Sequence, residues 1–251
     1  MATSRTTQAP LSAFVLHSYD WSETSLIVEL FTRERGRVVV AAKGAKRPTS
    51  QLRPVLLPFQ RLHVQLGKTP ADEAAEIHTL KSAEWAGGVP AVGAAALFSG
   101  FYLNELLLKG LARQDAHPAL FDAYAETLTV LADEAEALRA FELVLLRELG
   151  VLPELTVETL TTKALDPARR YALHAEAGLV ADAEGLAGSA WIALAAALEH
   201  GHPGALRAAC APVTAPLRTA LRALLHYHLG LATLRTRQVL QGVQRLLEPA
   251  R

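Results

Sequence analysis

Nine basic side chains lie close together between positions 33 and 68, and they are the strongest chemical signal in the sequence. Glu34 is the only acidic residue in this stretch, so its net charge is +8. Cations spaced along one surface neutralise phosphates and release the counterions that nucleic acid condenses. The pattern predicts a phosphate-binding surface, and the candidate residues are Arg33, Arg35, Arg37, Lys43, Lys46, Arg47, Arg53, Arg61 and Lys68.

Six of these residues form the predicted DNA-binding set. The preferred pair flanks Gly44, where the missing side chain lets another backbone approach closely. For any single cation, the alternative interpretation is an ordinary solvated surface charge. In order of preference, the predicted set is Lys43, Arg47, Arg37, Arg53, Arg35 and Lys46.

Two aromatic residues follow the first predicted strand in a polar segment. Proteins that bind single strands often stack bases on aromatic side chains. Tyr19 and Trp21 are therefore candidates for stacking on bases. The alternative is that they close the end of a barrel, and the sequence leaves both interpretations open.

Charge is strongly segregated along the chain, although the net charge is zero. Residues 1–70 carry +6, residues 71–206 carry −12 and residues 207–251 carry +6. A basic head and a basic tail are compatible with binding a polyanion at selected surfaces. The arginines of the tail either extend a DNA path or balance the acidic middle segment.

Enzyme motifs are not supported. Gly67-Lys68-Thr69 resembles the end of a phosphate-binding loop, but Leu62 stands where that motif needs its first glycine. No Gly-x-Ser-x-Gly nucleophile elbow occurs. The sequence therefore predicts no catalytic residue and no cofactor, and a hydrolase that uses carboxylates of the middle segment is a weak alternative.

Metal-binding patterns are also weak. His226 and His228 are two residues apart, and so are His200 and His202, so on a helix the two side chains of each pair diverge. Cys210 is the only cysteine and cannot form an internal disulfide or a four-cysteine zinc site. We predict no metal and a small buried thiol.

The first 80 residues show the period and turns of β-structure. Five short strands in so short a segment are typical of a small closed barrel, which has no exposed edges. The strands are expected near Phe14–Leu16, Leu26–Phe31, Arg37–Ala42, Arg61–Leu66 and Glu76–Leu80.

Helical periodicity replaces the strand pattern after a segment rich in glycine and proline near residues 85–90. Helices are expected over 97–111, 118–131, 134–149, 190–199, 203–211, 215–229 and 236–247, with Gly150 capping the third. A short hairpin is expected around 171–180. The fold class is therefore α+β.

The order of several motifs resembles the RecO family of recombination mediators. No single tetrapeptide is decisive, but the ordered set spans residues 12–247. The resemblance rests on Phe14-Val15-Leu16-His17, Trp21-Ser22-Glu23-Thr24-Ser25, Leu30-Phe31-Thr32, Gly36-Arg37, Ala42-Lys43-Gly44-Ala45, Leu56-Leu57-Pro58-Phe59, Ser82-Ala83-Glu84, residues 97–107, Leu138-Arg139-Ala140-Phe141-Glu142 and residues 234–240.

The resemblance implies a five-stranded OB-fold barrel over residues 1–82 and a helical partner-binding domain over residues 83–251. It also implies binding and annealing of single-stranded DNA and, with RecR, loading of RecA onto strands covered by single-strand-binding protein. Some family members carry a four-cysteine zinc site in the helical domain. The corresponding segment here, about 161–188, has no cysteine.

A partner site is expected on the third helix. The tail of single-strand-binding protein is acidic and ends in hydrophobic residues, so its receptor needs an apolar pocket with a cation at the rim. Arg139 is the candidate cation and Phe141 a candidate pocket residue. The alternative is an ion pair on the helix between Arg139 and Asp133, Glu136 or Glu142.

Two further expectations concern the whole chain. No apolar run reaches the roughly 18–20 residues that cross a bilayer, and the first ten residues are polar, so we expect a cytoplasmic, nucleoid-associated protein without membrane contact. The alternative to a mediator is a protein–protein adaptor whose barrel keeps the fold but does not bind DNA. Salt-dependent binding of an oligonucleotide distinguishes the two.

Overall fold

The computed structural model describes residues 9–67, 77–87, 92, 96–131, 135–230 and 236 of the 251-residue chain. These residues form two compact units. The first unit holds those up to residue 92 and those from Leu103 to Leu128, and the second holds those of 93–102 and from Thr129 onwards. The functional boundary expected between residues 82 and 83 stays a prediction.

Five strands close into a barrel in the first unit, in the order β1-β2-β3-β5-β4. Their bounds are β1 Leu11–Asp20, β2 Leu26–Thr32, β3 Gly36–Ala42, β4 Arg61–Leu66 and β5 Ile77–Trp85. β1 pairs with β4 to complete the circle, and only β3 and β5 run parallel. The predicted barrel is confirmed. Its β1 and β5 exceed their predicted lengths because their polar ends also pair with a neighbour.

The barrel interior is filled by the residues that alternate along each strand. The alternation that predicted β4 is confirmed, since Leu62, Val64 and Leu66 all face the core. Small and branched side chains dominate, as the narrow interior of a five-stranded barrel requires. The inward set from the other strands is Leu11, Ala13, Val15, Val28, Leu30, Val38, Val40, Ala42, Leu80 and Ala83.

Part of the outer barrel surface is buried by a helix of the same unit. Helix α2, Pro118–Val130, lies over Phe14 and Phe31, which point away from the barrel interior. The ring of Phe121 lies 5.2 Å from that of Phe14 and 5.4 Å from that of Phe31, centroid to centroid. This second apolar layer ties the helix to the barrel.

Carbonyls at a β-bulge in β1 accept hydrogen bonds from helix α1, Leu97–Gly110. The register of β1 against β2 shifts between Val15 and His17, which takes Leu16 out of the ladder. The Asn104 amide donates to the carbonyls of Val15 (3.4 Å) and Leu16 (3.0 Å), and the Tyr124 hydroxyl donates to Asn104 Oδ1 (2.5 Å). The two buried carbonyls at the bulge are thus satisfied by the Asn104 amide.

The second unit is mainly helical, with one small sheet. Gly150 has φ +68° and ends α3 as predicted, since its N–H donates to the Arg147 carbonyl. The predicted hairpin is confirmed and gains a third strand, in the order β7-β6-β8. The elements are α3 Ala135–Glu148, β6 Arg170–His174, β7 Gly178–Ala181, β8 Leu186–Ala187, α4 Gly188–His200, α5 Pro203–Cys210 and α6 Thr214–Leu229.

The predicted helices match the observed ones to within a few residues wherever the structure describes them. The helix expected over 236–247 lies outside the described residues, apart from Thr236. Within the described part of the chain, no helix combines the length and the apolar character that crossing a membrane requires.

Candidate nucleic-acid interface

The segment between β3 and β4, residues 43–60, carries three of the four exposed cations that the structure describes in the 33–68 stretch, and we call it the basic loop. Its apolar side chains anchor it to the barrel: Ala45 and Leu56 are buried in the barrel core, and Leu52 and Val55 pack against it. The charged side chains between these anchors are left in water. The exposed ones are Lys43, Arg47 and Arg53.

Short backbone hydrogen bonds give the basic loop a defined course. The Arg47 N–H donates to the Gly44 carbonyl (3.1 Å), and the Ser50 N–H donates to the Arg47 carbonyl (3.0 Å). Gly44 has φ +72°, a left-handed conformation that favours glycine. A Cβ built on Gly44 would lie 3.6 Å from Arg47 Cδ, so the Arg47 side chain lies over the glycine.

The loop between β1 and β2, residues 21–25, is hydrogen-bonded to the basic loop. The Lys46 N–H donates to the Thr24 carbonyl (3.0 Å), and its ammonium donates to the Ser22 carbonyl (3.1 Å). The Gly44 N–H donates to Ser25 Oγ (3.3 Å). The two loops therefore form one end of the barrel, and we call this end the loop face.

The loop face has a modest positive charge. Lys46 lies 3.1 Å from Asp20 Oδ1, and Glu23 lies in the adjoining loop, so the two loops with Asp20 sum to +2. Among the residues the structure describes, Lys43, Arg47 and Arg53 have no acidic partner within ion-pair distance. Arg53 lines a shallow depression with Pro48, Thr49, Ser50, Gln51 and Pro54.

The other basic residues of the 33–68 stretch do not share this face. The Arg33 guanidinium makes a bidentate contact with Asp122 of α2, with Nη2–Oδ2 at 2.9 Å. Arg61 lies 5.9 Å from the ring centroid of Phe121. Lys68 lies outside the described residues. The expectation of one common cationic track over the whole stretch is therefore wrong.

Arg37 and Arg35 also lie away from the loop face. Arg37 is largely buried; its guanidinium donates to the Leu108 carbonyl and lies 3.8 Å from Glu29 Oε2. Arg35 lies in the β2–β3 turn, at the opposite end of β3 from Lys43, which is about 20 Å along the strand. The DNA-binding roles of these two arginines stay predictions without geometric support.

The segment that follows α1 covers part of one outer face of the barrel. The outer face of strands 2 and 3, together with the loop between strands 1 and 2, is where OB-folds bind oligonucleotides. In this chain Arg113 lies 3.4 Å from Glu29 on β2, and the Gln114 N–H donates to the Arg37 carbonyl on β3. The segment after α1 thus covers the part of that face that lies toward the β2–β3 turn.

Sequence reasoning missed the bracing role of the β1–β2 loop. Ser22, Thr24 and Ser25 supply the oxygens that accept hydrogen bonds from the basic loop. The only signal for them was their place in the Trp21–Ser25 motif, because nothing in the local pattern shows which distant backbone a serine contacts.

The predicted partner site on α3 has a different environment from the one expected. Phe141 is buried, and the Arg139 side chain is only 7% exposed. Arg139 Nη2 lies 2.7 Å from Glu142 Oε1, which also accepts a hydrogen bond from the Tyr102 hydroxyl (2.6 Å). The alternative of an ion pair with Glu142 is therefore confirmed, and the partner-binding role stays a prediction.

Glu142 is an unusual buried acid. Burial raises the pKa of its carboxyl to about 7, against the opposing effects of Arg139, of the Tyr102 hydrogen bond and of Arg222. Its Oε2 has no hydrogen-bond partner among the described residues. Cys210 is fully buried, so the predicted buried thiol is confirmed, and this burial raises the pKa of the thiol to about 12.

No group of three or more potential metal ligands occurs within the described ranges. The segment of about 161–188 corresponds to the zinc site of some family members. Here it contains the small sheet, whose strand β7 is hydrogen-bonded to Thr159. The Thr159 N–H donates to the Leu179 carbonyl, and Thr159 Oγ1 accepts from the Leu179 N–H, both at 2.8 Å.

Comparison with known proteins accounts for nearly the whole chain. The family model for Recombination protein O N terminal matches residues 7–89, and that for Recombination protein O C terminal matches residues 94–238. The DNA repair protein RecO of Polaromonas sp. (strain JS666 / ATCC BAA-500) is 51% identical over 256 residues, covering 98% of this chain and 100% of that protein.

Two further relatives agree. The DNA repair protein RecO of Albidiferax ferrireducens is 50% identical, covering 98% of this chain and 99% of that protein. The DNA repair protein RecO of Variovorax paradoxus is 52% identical, covering 93% of this chain and 96% of that protein. The two family models and these relatives match the chain over nearly its whole length, and its barrel and helical region correspond to the two models. The chain therefore belongs to the RecO family of DNA repair proteins.

Proposed function

We propose that this protein is a recombination mediator that binds single-stranded DNA at the loop face. The observation that carries the proposal is the basic loop, whose apolar anchors leave Lys43, Arg47 and Arg53 exposed and without acidic partners in the described part of the chain. Phosphate binding needs cations held along a surface, and it carries no base information by itself. The site therefore suits a strand of any sequence.

The finer steps of the proposed function rest on family membership. The protein anneals complementary strands and, with RecR, helps load RecA onto strands covered by single-strand-binding protein, whose C-terminal tail is a further partner. Each of these steps exchanges binding partners and breaks no covalent bond. We accordingly propose that the chain acts by binding, without catalysis. A turnover assay on nucleotides and DNA with added metals tests this, and turnover lost on substitution of a carboxylate would contradict it.

The test of DNA binding is the charge reversal Lys43→Glu with Arg47→Glu in the full chain. Affinity for labelled oligonucleotides of different sequence is measured by anisotropy over a range of salt concentrations. We expect affinity to fall equally for all sequences, and the slope of log K against log salt to shrink by about 1.4, or about 0.7 for each lost phosphate contact.

The matched comparison is Lys43→Glu against Arg35→Glu, a single charge reversal at each end of the same barrel. If DNA binds at the loop face, Lys43→Glu reduces the salt slope by about 0.7 and Arg35→Glu leaves it unchanged. Equal effects of these two single reversals would contradict a site confined to the loop face, and unchanged affinity in the Lys43/Arg47 variant would refute the loop face as the binding site.

A second candidate function is a protein–protein adaptor, which the internal ion pairs favour. Arg33 is neutralised by Asp122 and Arg37 by Glu29, so part of the basic head serves the fold of this unit. An adaptor would not bind oligonucleotides even at low salt. Binding at low salt that weakens steeply as salt rises selects the mediator.

A further inference from the structure

Two large aromatic side chains at the loop face are exposed to water. Tyr19 is 49% exposed and Trp21 is 56% exposed. The barrel core is filled without them, because the inward positions of β1 and β2 are taken by aliphatic side chains. Closing the barrel end, the alternative role for these residues, is performed instead by Leu52, Val55 and Leu56 of the basic loop.

Both aromatic residues are held on ordered backbone. Tyr19 is in β1, paired with Ile27 of β2, and its ring packs edge-on against His17 with centroids 4.4 Å apart. The Trp21 N–H donates to the Ser25 carbonyl (3.2 Å), which closes the β1–β2 loop into a tight turn. A fixed aromatic surface loses little conformational entropy when a flat ligand stacks on it.

The cation of Lys46 is used to brace this loop. Its ammonium contacts the Ser22 carbonyl and Asp20, the two positions on either side of Trp21. Its backbone N–H holds Thr24 as well. Lys46 was predicted to bind phosphate directly, but these contacts suit a residue that positions Trp21.

We propose that Trp21 and Tyr19 form a base-stacking platform beside the phosphate-binding cations Lys43 and Arg47, and that Lys46 is the positioning residue of that platform. The inference rests on the proposed DNA-binding function. Bases in a duplex have both faces covered by their neighbours, whereas bases in a single strand are free to stack on protein. The platform therefore makes the loop face selective for single strands over duplex.

The test compares oligo(dT) with an abasic oligonucleotide of the same length, which has the phosphates but no bases. In the full chain, Trp21→Ala should weaken oligo(dT) binding by about 5- to 160-fold, the range expected for stacking of one base. It should leave both the abasic affinity and the salt slope unchanged, because no phosphate contact is lost.

Tyr227→Ala is the matched control. Tyr227 is 56% exposed on α6, and its ring packs edge-on against His228 with centroids 5.0 Å apart, much as the Tyr19 ring packs against His17. This variant should bind both oligonucleotides as the natural chain does. A Trp85→Phe background simplifies the fluorescence, because Trp191 is buried and Trp21 is then the one exposed tryptophan of the three in the sequence; oligo(dT) should quench Trp21 and abasic DNA should not.

Lys46→Met tests the positioning role. It should reproduce the loss of oligo(dT) affinity seen in Trp21→Ala, and the double variant should be no weaker than Trp21→Ala alone. Lys43→Met should instead lower both affinities and reduce the salt slope. If Lys46→Met reduces the salt slope in the same way, Lys46 binds phosphate and does not position the platform.

The outcomes separate the two proposals. If neither oligonucleotide binds at any salt concentration, the proposed function fails. If both bind equally well and Trp21→Ala changes neither affinity, DNA binding stands and the stacking platform is refuted.

Discussion

At the residue scale, identical charges have different roles because their surroundings differ. Arg37 and Lys43 are six residues apart at the two ends of β3. Arg37 is buried against Glu29 and the Leu108 carbonyl, whereas Lys43 extends into water. A cation without an acidic partner keeps its full attraction for phosphate, so the exposed residues of the basic loop are the ones that we propose bind DNA.

Glu142 leads to a prediction about pH. Its folded-state pKa of about 7 lies above the ordinary value for glutamate, so the folded protein binds this proton more tightly than the unfolded chain. Its contribution to stability is therefore present at low pH and is lost as pH rises through about 7. Glu142→Gln keeps the shape and removes this titration.

We expect the free energy of unfolding of the natural chain, relative to Glu142→Gln, to fall by on the order of 1–3 kcal/mol between about pH 5 and about pH 8. Urea denaturation across this range measures it. The charged and titratable groups around the carboxyl are Tyr102, Arg139, Arg222 and Cys210, and all four are unchanged in the variant. Parallel pH profiles of the two proteins would contradict the prediction.

At the element scale, the β2–β3 turn is built around the segment that follows α1. Gly36 begins β3 with φ +66°, and a Cβ there would lie 1.6 Å from the Asp115 carbonyl oxygen. Next to this glycine, the Gln114 N–H donates to the Arg37 carbonyl (2.8 Å). The turn and the helical connection therefore fit only if residue 36 has no side chain.

Gly36→Ala is predicted to destabilise the protein far more than Gly87→Ala. Both glycines have nearly the same positive φ, but Gly87 has open space where the Cβ would go. Both variants carry the strain of a left-handed alanine, about 1–2 kcal/mol, and only Gly36→Ala adds a steric clash of about 1–3 kcal/mol. Urea denaturation of the two variants gives the contribution of the clash as the difference between their free energies of unfolding. Equal losses of stability would mean that the structure relaxes to relieve the clash.

At the scale of the whole molecule, the first unit is larger than its barrel. The outer face of β1 and β2 is buried under α2 through Phe14, Phe31, Phe121 and Tyr124. The carbonyls of Val15 and Leu16 at the bulge in β1 accept hydrogen bonds from the Asn104 amide of α1. Removing the helices would expose two phenylalanines and leave buried carbonyls without partners.

We therefore expect a fragment of residues 1–131 to fold and a fragment of residues 1–87 to fail. Near-ultraviolet circular dichroism and denaturant unfolding distinguish a packed, cooperative fragment from a collapsed one. The shorter fragment should show a weak aromatic signal and a broad transition. A cooperative transition of equal midpoint in both would show that the barrel is stable without its helices.

Much of the architecture followed from the sequence alone. Periodicity located the strands and helices because side chains repeat every two residues in a strand and every 3.6 in a helix, and Gly150 marked the end of α3 through its need for positive φ. Ordered motifs identified the family. Lys43 and Arg47 were candidates because they lie on either side of Gly44 after a buried strand, and the structure shows that both are exposed.

Only the tertiary structure decided which cations share a face. Arg33, Arg37 and Arg61 belong to the same basic stretch as Lys43. Arg33 and Arg61 contact helix α2, however, and Arg37 contacts α1 and the segment after it. It also decided that Arg139 is buried with Glu142 and that Lys46 braces the loop of Trp21. Each of these contacts either joins residues that are distant along the chain or depends on the direction in which one side chain points. The local sequence pattern carries no information on distant contacts or on side-chain direction.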